Sequence, residues 1–355
     1  MEQTGKDGVH IGIIGTGWWA LKNHIPVLQS RKDVKIASVC GLGRDGLLKI
    51  QKDFGIGFAT EDYRELLARD NLDGVVISSP HPCHYDHASA ALGRGVHVFC
   101  EKPMVLHAAE ARRLAALTAS GKRHFLIAYG WNYTPLAIEA RDLILKGKVG
   151  KIEHVQCHMG SATRDLFSGE EFWFSQKDTV KPDPRTWSDP AGGGGFANGQ
   201  LTHALALLFY ITGLQPQEVF AYMTSSKTGA DLTDAISCRF KNGATGMLGG
   251  AGTMPARSTY QIDIRIFGSE GMLLLDIERP RLELYRHDGE SVLRAGIHEP
   301  GEYSCVEPPH AFIDLIQGKQ VENRSPAELG VSVVELLEAA FRSAHSGKSQ
   351  AVVGL

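Results

Sequence analysis

The apolar run Val9-His10-Ile11-Gly12-Ile13-Ile14 passes directly into Gly15-Thr16-Gly17-Trp18-Trp19-Ala20, and a helix-like stretch from Leu21 to Ser30 follows. Strand, glycine turn and helix in that order give the pattern Gly-x-Gly-x-x-Ala its meaning. Gly15 permits the tight turn, Gly17 lets the backbone approach a pyrophosphate, and small Ala20 lets helix and strand pack closely. The helix N-terminus then faces phosphate oxygens. The chain therefore starts as a dinucleotide-binding α/β unit, with Gly15, Thr16 and Gly17 as candidate cofactor contacts. Trp18 and Trp19 either cover the cofactor or pack the first helix.

Strand and helix continue to alternate: Val34 to Cys40, Tyr63 to Arg69, Asp73 to Ser78, Asp86 to Leu92, Val96 to Cys100, Ala108 to Ala119 and Phe125 to Tyr129. Such alternation predicts a doubly wound parallel sheet, a Rossmann domain, over about residues 1–130. An acid at the end of the second strand usually bonds the adenosine ribose of NAD. Here Gly41-Leu42-Gly43-Arg44 follows instead. The cofactor is read as NAD or NADP with a slight lean to NADP, Arg44 either meeting a 2′-phosphate or being an ordinary solvated arginine.

Two further turns open at the same sheet edge. Ser79-Pro80-His81-Pro82-Cys83-His84 follows the third apolar run, and Glu101-Lys102-Pro103 follows the fourth. Ser79, Pro80, His81, His84 and Glu101 are candidate cofactor contacts. A lysine at the carboxyl end of a parallel strand lies where an open α/β sheet holds its ligand, so Lys102 can touch both cofactor and substrate and move a proton at a substrate oxygen. His81, His84 and His87 resemble a metal cluster, but no further ligands accompany them, and no metal is expected.

A chain of 355 residues exceeds one ordinary core and suits two domains. With 22% charged residues and a net charge of -3, it has no electrostatic footprint for nucleic acid or an anionic membrane. Cysteines at 40, 83, 100, 157, 238 and 305 are scattered without Cys-x-x-Cys pairing and read as reduced thiols. Met1 to Asp7 lacks the apolar core of a signal peptide, and Leu205 to Leu214 is too short to span a bilayer, so a cytoplasmic protein is expected.

From about residue 151 the pattern changes. Lys151 to Met159, Glu218 to Met223, Ala235 to Phe240, Ala244 to Gly249, Ile262 to Gly268, Gly271 to Asp276 and Arg281 to Arg286 are strands without interleaved helices. They mark a second, strand-rich domain over 131–355. The closing helices, Phe312 to Gly318 and Ser325 to Gly347, are expected to pack back on the first domain.

The chain resembles the Gfo/Idh/MocA family of nicotinamide-dependent oxidoreductases. The resemblance rests on Gly15-Thr16-Gly17, Ser79-Pro80 with His84, Glu101-Lys102-Pro103, Tyr129 to Tyr133, Leu143 to Ile152, Trp187, Gly192 to Gly195 and Thr202-His203. It implies a Rossmann domain followed by an α+β domain with an open, mostly antiparallel sheet, and hydride transfer to or from a hydroxyl-bearing carbon of a sugar, polyol, glycoside or sugar acid, with the substrate between the two domains. A sheet with one uncovered face usually pairs with a copy of itself, so a homodimer or homotetramer through the second sheet is expected. Family members usually place an Asp and a His one helical turn apart after the glycine run. His203 fits the histidine and is a candidate catalytic residue beside Lys102, but Gly199 occupies the Asp position. Gln200, three residues before His203, is the favoured stand-in, with Asn198 the alternative.

Arg164, Arg185, Trp187 and His158 complete the candidate substrate contacts, a Trp with an Arg suiting a sugar by stacking and hydroxyl bonding. The segment Phe167 to Asp189 reads as a lid or an oligomer contact. Two alternatives accompany the dehydrogenase reading: an enzyme with tightly bound NAD(H) that opens glycosides by transient oxidation, and a non-catalytic cofactor-binding regulator.

Overall fold

The computed structural model describes residues 8–69, 71–295, 303 and 305–352, so Met1 to Asp7, read above as lacking a signal, lies outside them. Six parallel strands form the first sheet: β1 (Val9–Ile14), β2 (Val34–Cys40), β3 (Phe58–Thr60), β4 (Gly74–Ile77), β5 (His97–Cys100) and β6 (Phe125–Ile127). Their spatial order is β3-β2-β1-β4-β5-β6. Helices cover both faces, which is why β1 and β4 are almost continuously apolar and buried.

The chain reverses direction across the sheet between β1 and β4, and that switch point opens a crevice at the carboxyl ends of the strands. Gly15 sits there with φ of 97°, and a Cβ on it would lie 2.4 Å from the backbone of Ser78 and Ser79. Only glycine fits. Gly17, by contrast, faces open space, with nothing within 4 Å of a Cβ placed on it.

The second sheet has nine strands: β7 (Ile152–Gly160), β8 (Pro216–Ser225), β9 (Asp231–Phe240), β10 (Thr245–Ala251), β11 (Gln261–Gly268), β12 (Gly271–Asp276), β13 (Arg281–Arg286), β14 (Ser291–Ala295) and β15 (Gln350–Ala351). Their order is β14-β13-β12-β11-β7-β10-β9-β8-β15, antiparallel except where β7 meets β10. Alternation along β11 turns Ile262, Ile264 and Ile266 inward. Helices Pro135–Leu145, Thr202–Thr212 and Ala327–Ser346 cover the inner face. The outer face leaves Tyr222 and Met247 exposed.

Thr202–Thr212 is buried along nearly its whole length and so is a fixed internal element rather than an amphipathic surface helix. The helix Glu307–Ile316 returns to the first sheet, where Phe312 and Ile313 share a core with Ile11, Phe99 and Leu126. Arg31 binds Asp314 at 2.8 Å across that contact. No helix among the described residues is long and apolar enough to cross a membrane.

The sequence reading leaves out β3, β14, β15 and the helix Arg44–Asp53. The first three are short or exposed, and the helix has only Leu47 buried, so none carries a strong apolar period.

Candidate active site

A cleft of about 520 Å³ runs from the Gly15–Trp19 turn, past the ends of β2, β4 and β5, to the face of the helix carrying His203. Gly15, Thr16, Gly17, Trp18, Trp19, Ser79, Pro80, His81, His84, Glu101, Lys102, Trp187, Gln200 and His203 all line it. Gly17 leaves room for a bound phosphate where a side chain would intrude, so the turn fits a dinucleotide.

Lys102 lies at the centre of the cleft. Its Nζ donates to the Gly199 carbonyl at 2.8 Å and sits 4.9 Å from the centre of the Trp187 ring. Burial pulls the ammonium down to about 8, although the negative charge of Glu101 resists this. At that value the lysine exchanges a proton near neutrality.

Glu101 is buried and divided between two partners. One oxygen faces His24 Nε2 at 2.8 Å, and the other accepts the Lys102 backbone N–H at 3.1 Å. Burial alone would raise its pKa, but the His24 hydrogen bond and the charges of His24 and Lys102 hold it below the ordinary glutamate value.

His203 is buried, its ring edge-on to Trp131 at 5.1 Å and Tyr303 at 5.2 Å. Among the described residues its Nδ1 has no hydrogen-bond partner. Desolvation, with Lys102 nearby, pushes its pKa well below 6.5, so the ring is neutral at physiological pH. Neutral imidazole can accept or donate one proton to a substrate hydroxyl.

The missing carboxylate has a steric reason. Gly199 lies in the π-helical turn Ala197–Leu201, and a Cβ there would meet Phe167 at 2.7 Å from Cζ and 2.8 Å from Cε1. Phe167 is fully buried, so an Asp at 199 has no space unless that ring moves. The position contributes its carbonyl instead. Gln200 is buried and lines the cleft, whereas Asn198 does not.

The histidines after β4 brace the walls. His84 places Nδ1 2.8 Å from the Pro103 carbonyl and Nε2 2.9 Å from that of Ser79. Burial still lowers its pKa against those carbonyls. His81 Nδ1 lies 3.2 Å from the Gly193 carbonyl, His87 Nδ1 bonds the Ser79 hydroxyl, and no metal-holding group occurs among the described residues.

Several candidates lie elsewhere. Arg44 is exposed at the start of its helix and does not line the cleft. Arg164 is exposed, Arg185 is exposed and paired with Asp183, and His158 occupies a separate hollow with Asp263 and Asp276 on the outer face of the second sheet. Within Phe167 to Asp189, Phe172, Phe174 and Trp187 reach the cleft, and Asp178 accepts hydrogen bonds from Trp18 Nε1 and Lys22 Nζ.

Sequence reasoning passed over Glu61, Tyr260 and Tyr303, which line the cleft, and His24, which lies behind Glu101. Glu61, from the turn after β3, lines the cleft and accepts the Gly43 N–H at 2.8 Å, bringing an acid to the end of β2 from another strand. Linear sequence hides that approach. His24 left one signal, a polar residue in the apolar phase of the first helix.

The glycine turn and Lys102 thus share one crevice at the carboxyl ends of the first sheet's strands. Residues 9–129 match the model described as an oxidoreductase family with an NAD-binding Rossmann fold, and residues 137–274 match the GFO/IDH/MocA C-terminal domain. The chain belongs to the GFO/IDH/MocA oxidoreductase family. It is 32% identical over 220 residues to D-xylose 1-dehydrogenase (NADP(+)) of Hypocrea jecorina, a match covering 59% of this chain and about half, 54%, of that protein. It is 26% identical over 339 residues to D-xylose 1-dehydrogenase (NADP(+)) 2 of Haloferax volcanii, covering 95% and 97% of the two chains. In fold it is similar to an oxidoreductase domain protein from Kribbella flavida, with a TM-score of 0.79 and 22% identity over 98% of this chain and 100% of that one.

Proposed function

We propose that the chain oxidises and re-forms a carbinol group of a neutral sugar or polyol, with Lys102 exchanging the hydroxyl proton. The Lys102 ammonium, pulled down to about 8 in a cleft shared with His203 and Gln200, carries this reading. A bound nicotinamide supplies the hydride acceptor or donor. The residues present fit one, through Gly15 and Gly17 at the pyrophosphate and Glu101 beside Lys102.

Lys102 takes the proton as the hydroxyl carbon is oxidised and returns it in reduction. His203 and Gln200 orient the hydroxyls, and Trp131, Trp187 and Tyr260 offer apolar faces to a sugar ring. A neutral substrate is favoured because Lys181, which with Lys102 lines the cleft among the described residues, already binds the carbonyls of Ser175 and Gln176.

Glu61 supports NAD over NADP, since a carboxylate at the end of β2 repels a 2′-phosphate and Arg44 stands outside the cleft. Titration with NADH and NADPH, followed by tryptophan fluorescence, tests both statements. NADH should bind more tightly, and Glu61→Gln should narrow the gap by about tenfold. Preference for NADPH in the wild type rejects the role of Glu61, and failure to bind either nucleotide rejects the enzyme reading.

A further inference from the structure

We propose that His24 is a positioning residue for Lys102, acting through Glu101, and that it ties the lysine to the dinucleotide helix. The inference rests on the catalytic role given above to Lys102. His24 does not line the cleft, so it cannot touch substrate.

The geometry begins with the helix. Between Trp18 and Ile25 the backbone takes a π-helical turn, Ala20–His24, which widens the helix by one residue. His24 is thereby turned inward and buried, packed edge-on to Phe99 at 5.3 Å between ring centres. Its Nε2 meets Glu101 at 2.8 Å, the two side chains being only 3% and 10% exposed. An ionised carboxylate has no proton to give, so Nε2–H is the donor. Glu101 then spends its other oxygen on the Lys102 N–H. The chain His24, Glu101, Lys102 is continuous, with His24 and Glu101 buried and Lys102 opening onto the cleft.

Burial of an unpaired carboxylate is unfavourable, and the group responds by taking up a proton. Without His24, Glu101 loses the hydrogen bond that does most to hold its pKa down. As Glu101 takes up a proton more readily it offers Lys102 less negative charge, and desolvation of the ammonium is opposed less. The lysine value must then fall. Other titratable groups facing Lys102 are His81 and His84 from the turn after β4 and His203 from the opposite helix, all held toward neutrality by burial. None of them replaces Glu101 as a source of negative charge.

The test reads Lys102 without substrate or cofactor. Trace acetic anhydride labels free amines, and peptide mass spectrometry across a pH series gives the midpoint at which Lys102 becomes reactive. Wild-type protein should give a midpoint near 8. His24→Phe, which keeps an aromatic ring but no donor, should lower it by about 1 pH unit. His24→Gln, which keeps an N–H donor, should restore it. The pH limb of the oxidation rate should move in parallel.

A His24→Phe midpoint coinciding with wild type overturns the proposal. Should that variant not fold, His24→Asn, whose amide is too short to reach Glu101, carries the same expectation and the same refutation. A labelling shift with turnover indifferent to Lys102 would instead reject the catalytic reading and leave the positioning of the lysine standing.

Discussion

The two helices that meet at Lys102 begin alike and serve it differently. The dinucleotide helix passes from Trp18-Trp19 into the π-helical turn Ala20–His24, and the substrate-side helix passes from Phe196 into the π-helical turn Ala197–Leu201. Each turn displaces the hydrogen-bond ladder by one residue next to the lysine. From the first comes a side chain, His24, which reaches Lys102 through Glu101. From the second comes a backbone carbonyl, that of Gly199, which accepts a hydrogen bond from Nζ directly. One side thus governs the charge of the lysine and the other its direction. Neither helix needs the carboxylate expected at position 199, because orientation comes from a carbonyl that requires no side chain.

Removing the lysine should abolish what both helices serve. Lys102→Ala should fold, bind nucleotide and lose turnover by about 10²–10⁴-fold. In the wild type the amine form takes the proton in oxidation and the ammonium gives it in reduction. With a value of about 8, oxidation should rise with pH through that point and reduction should fall. Near-wild-type turnover in the variant, or parallel pH profiles in the two directions, would leave the comparison without its centre.

A smaller effect separates the carbonyl from the side chain. Gly199→Ala puts a methyl group against the buried Phe167 ring and should destabilise the fold by about 1–3 kcal/mol while shifting the carbonyl that holds Nζ. Phe167→Leu in the same chain makes room and should recover part of both stability and turnover. Chemical denaturation and steady-state kinetics give the two readouts. If Gly199→Ala is neutral in both, the ring does not bar side chains from this position.

The first half of the molecule was the more legible because its chemistry follows its chain order. Gly15, Gly17 and Lys102 sit at strand ends, so the alternation of apolar runs and glycine turns is enough to locate them. His203 and Gln200 follow from the family's pair of polar residues one helical turn apart after the glycine run, and they lie at the start of Thr202–Thr212 and in the turn before it. Glu61, Tyr260 and Tyr303 were hidden because other strands and loops carry them into the cleft, and no local period records that. The candidates Arg164, Arg185 and His158 fell outside it for the same reason. They were chosen as polar residues near the right strands, and the face a side chain takes depends on register and loop path. The π-helical turns were also invisible, since one inserted residue in a helix looks in sequence like a small slip of phase.

The smallest expected effect asks whether the two sides act independently. Asp178, in the segment before the substrate-side helix, accepts from Trp18 Nε1 and Lys22 Nζ on the dinucleotide helix, and Lys22 also lies 4.3 Å from the Phe174 ring centre. This is a direct tie between the two sides, made at the rim of the cleft. Its ion pair is partly exposed, with side chains 31% and 24% accessible, so it belongs with surface pairs contributing about 0.2–1 kcal/mol. Asp178→Asn keeps the shape, removes the charge and should speed nucleotide release by no more than about fivefold. The labelling midpoint of Lys102 should not move, because His24 and Glu101 lie inside and keep their contact. If Asp178→Asn shifts that midpoint as far as His24→Phe does, the charge of the lysine is set by closure of the segment over the cleft rather than by the buried pair beneath it.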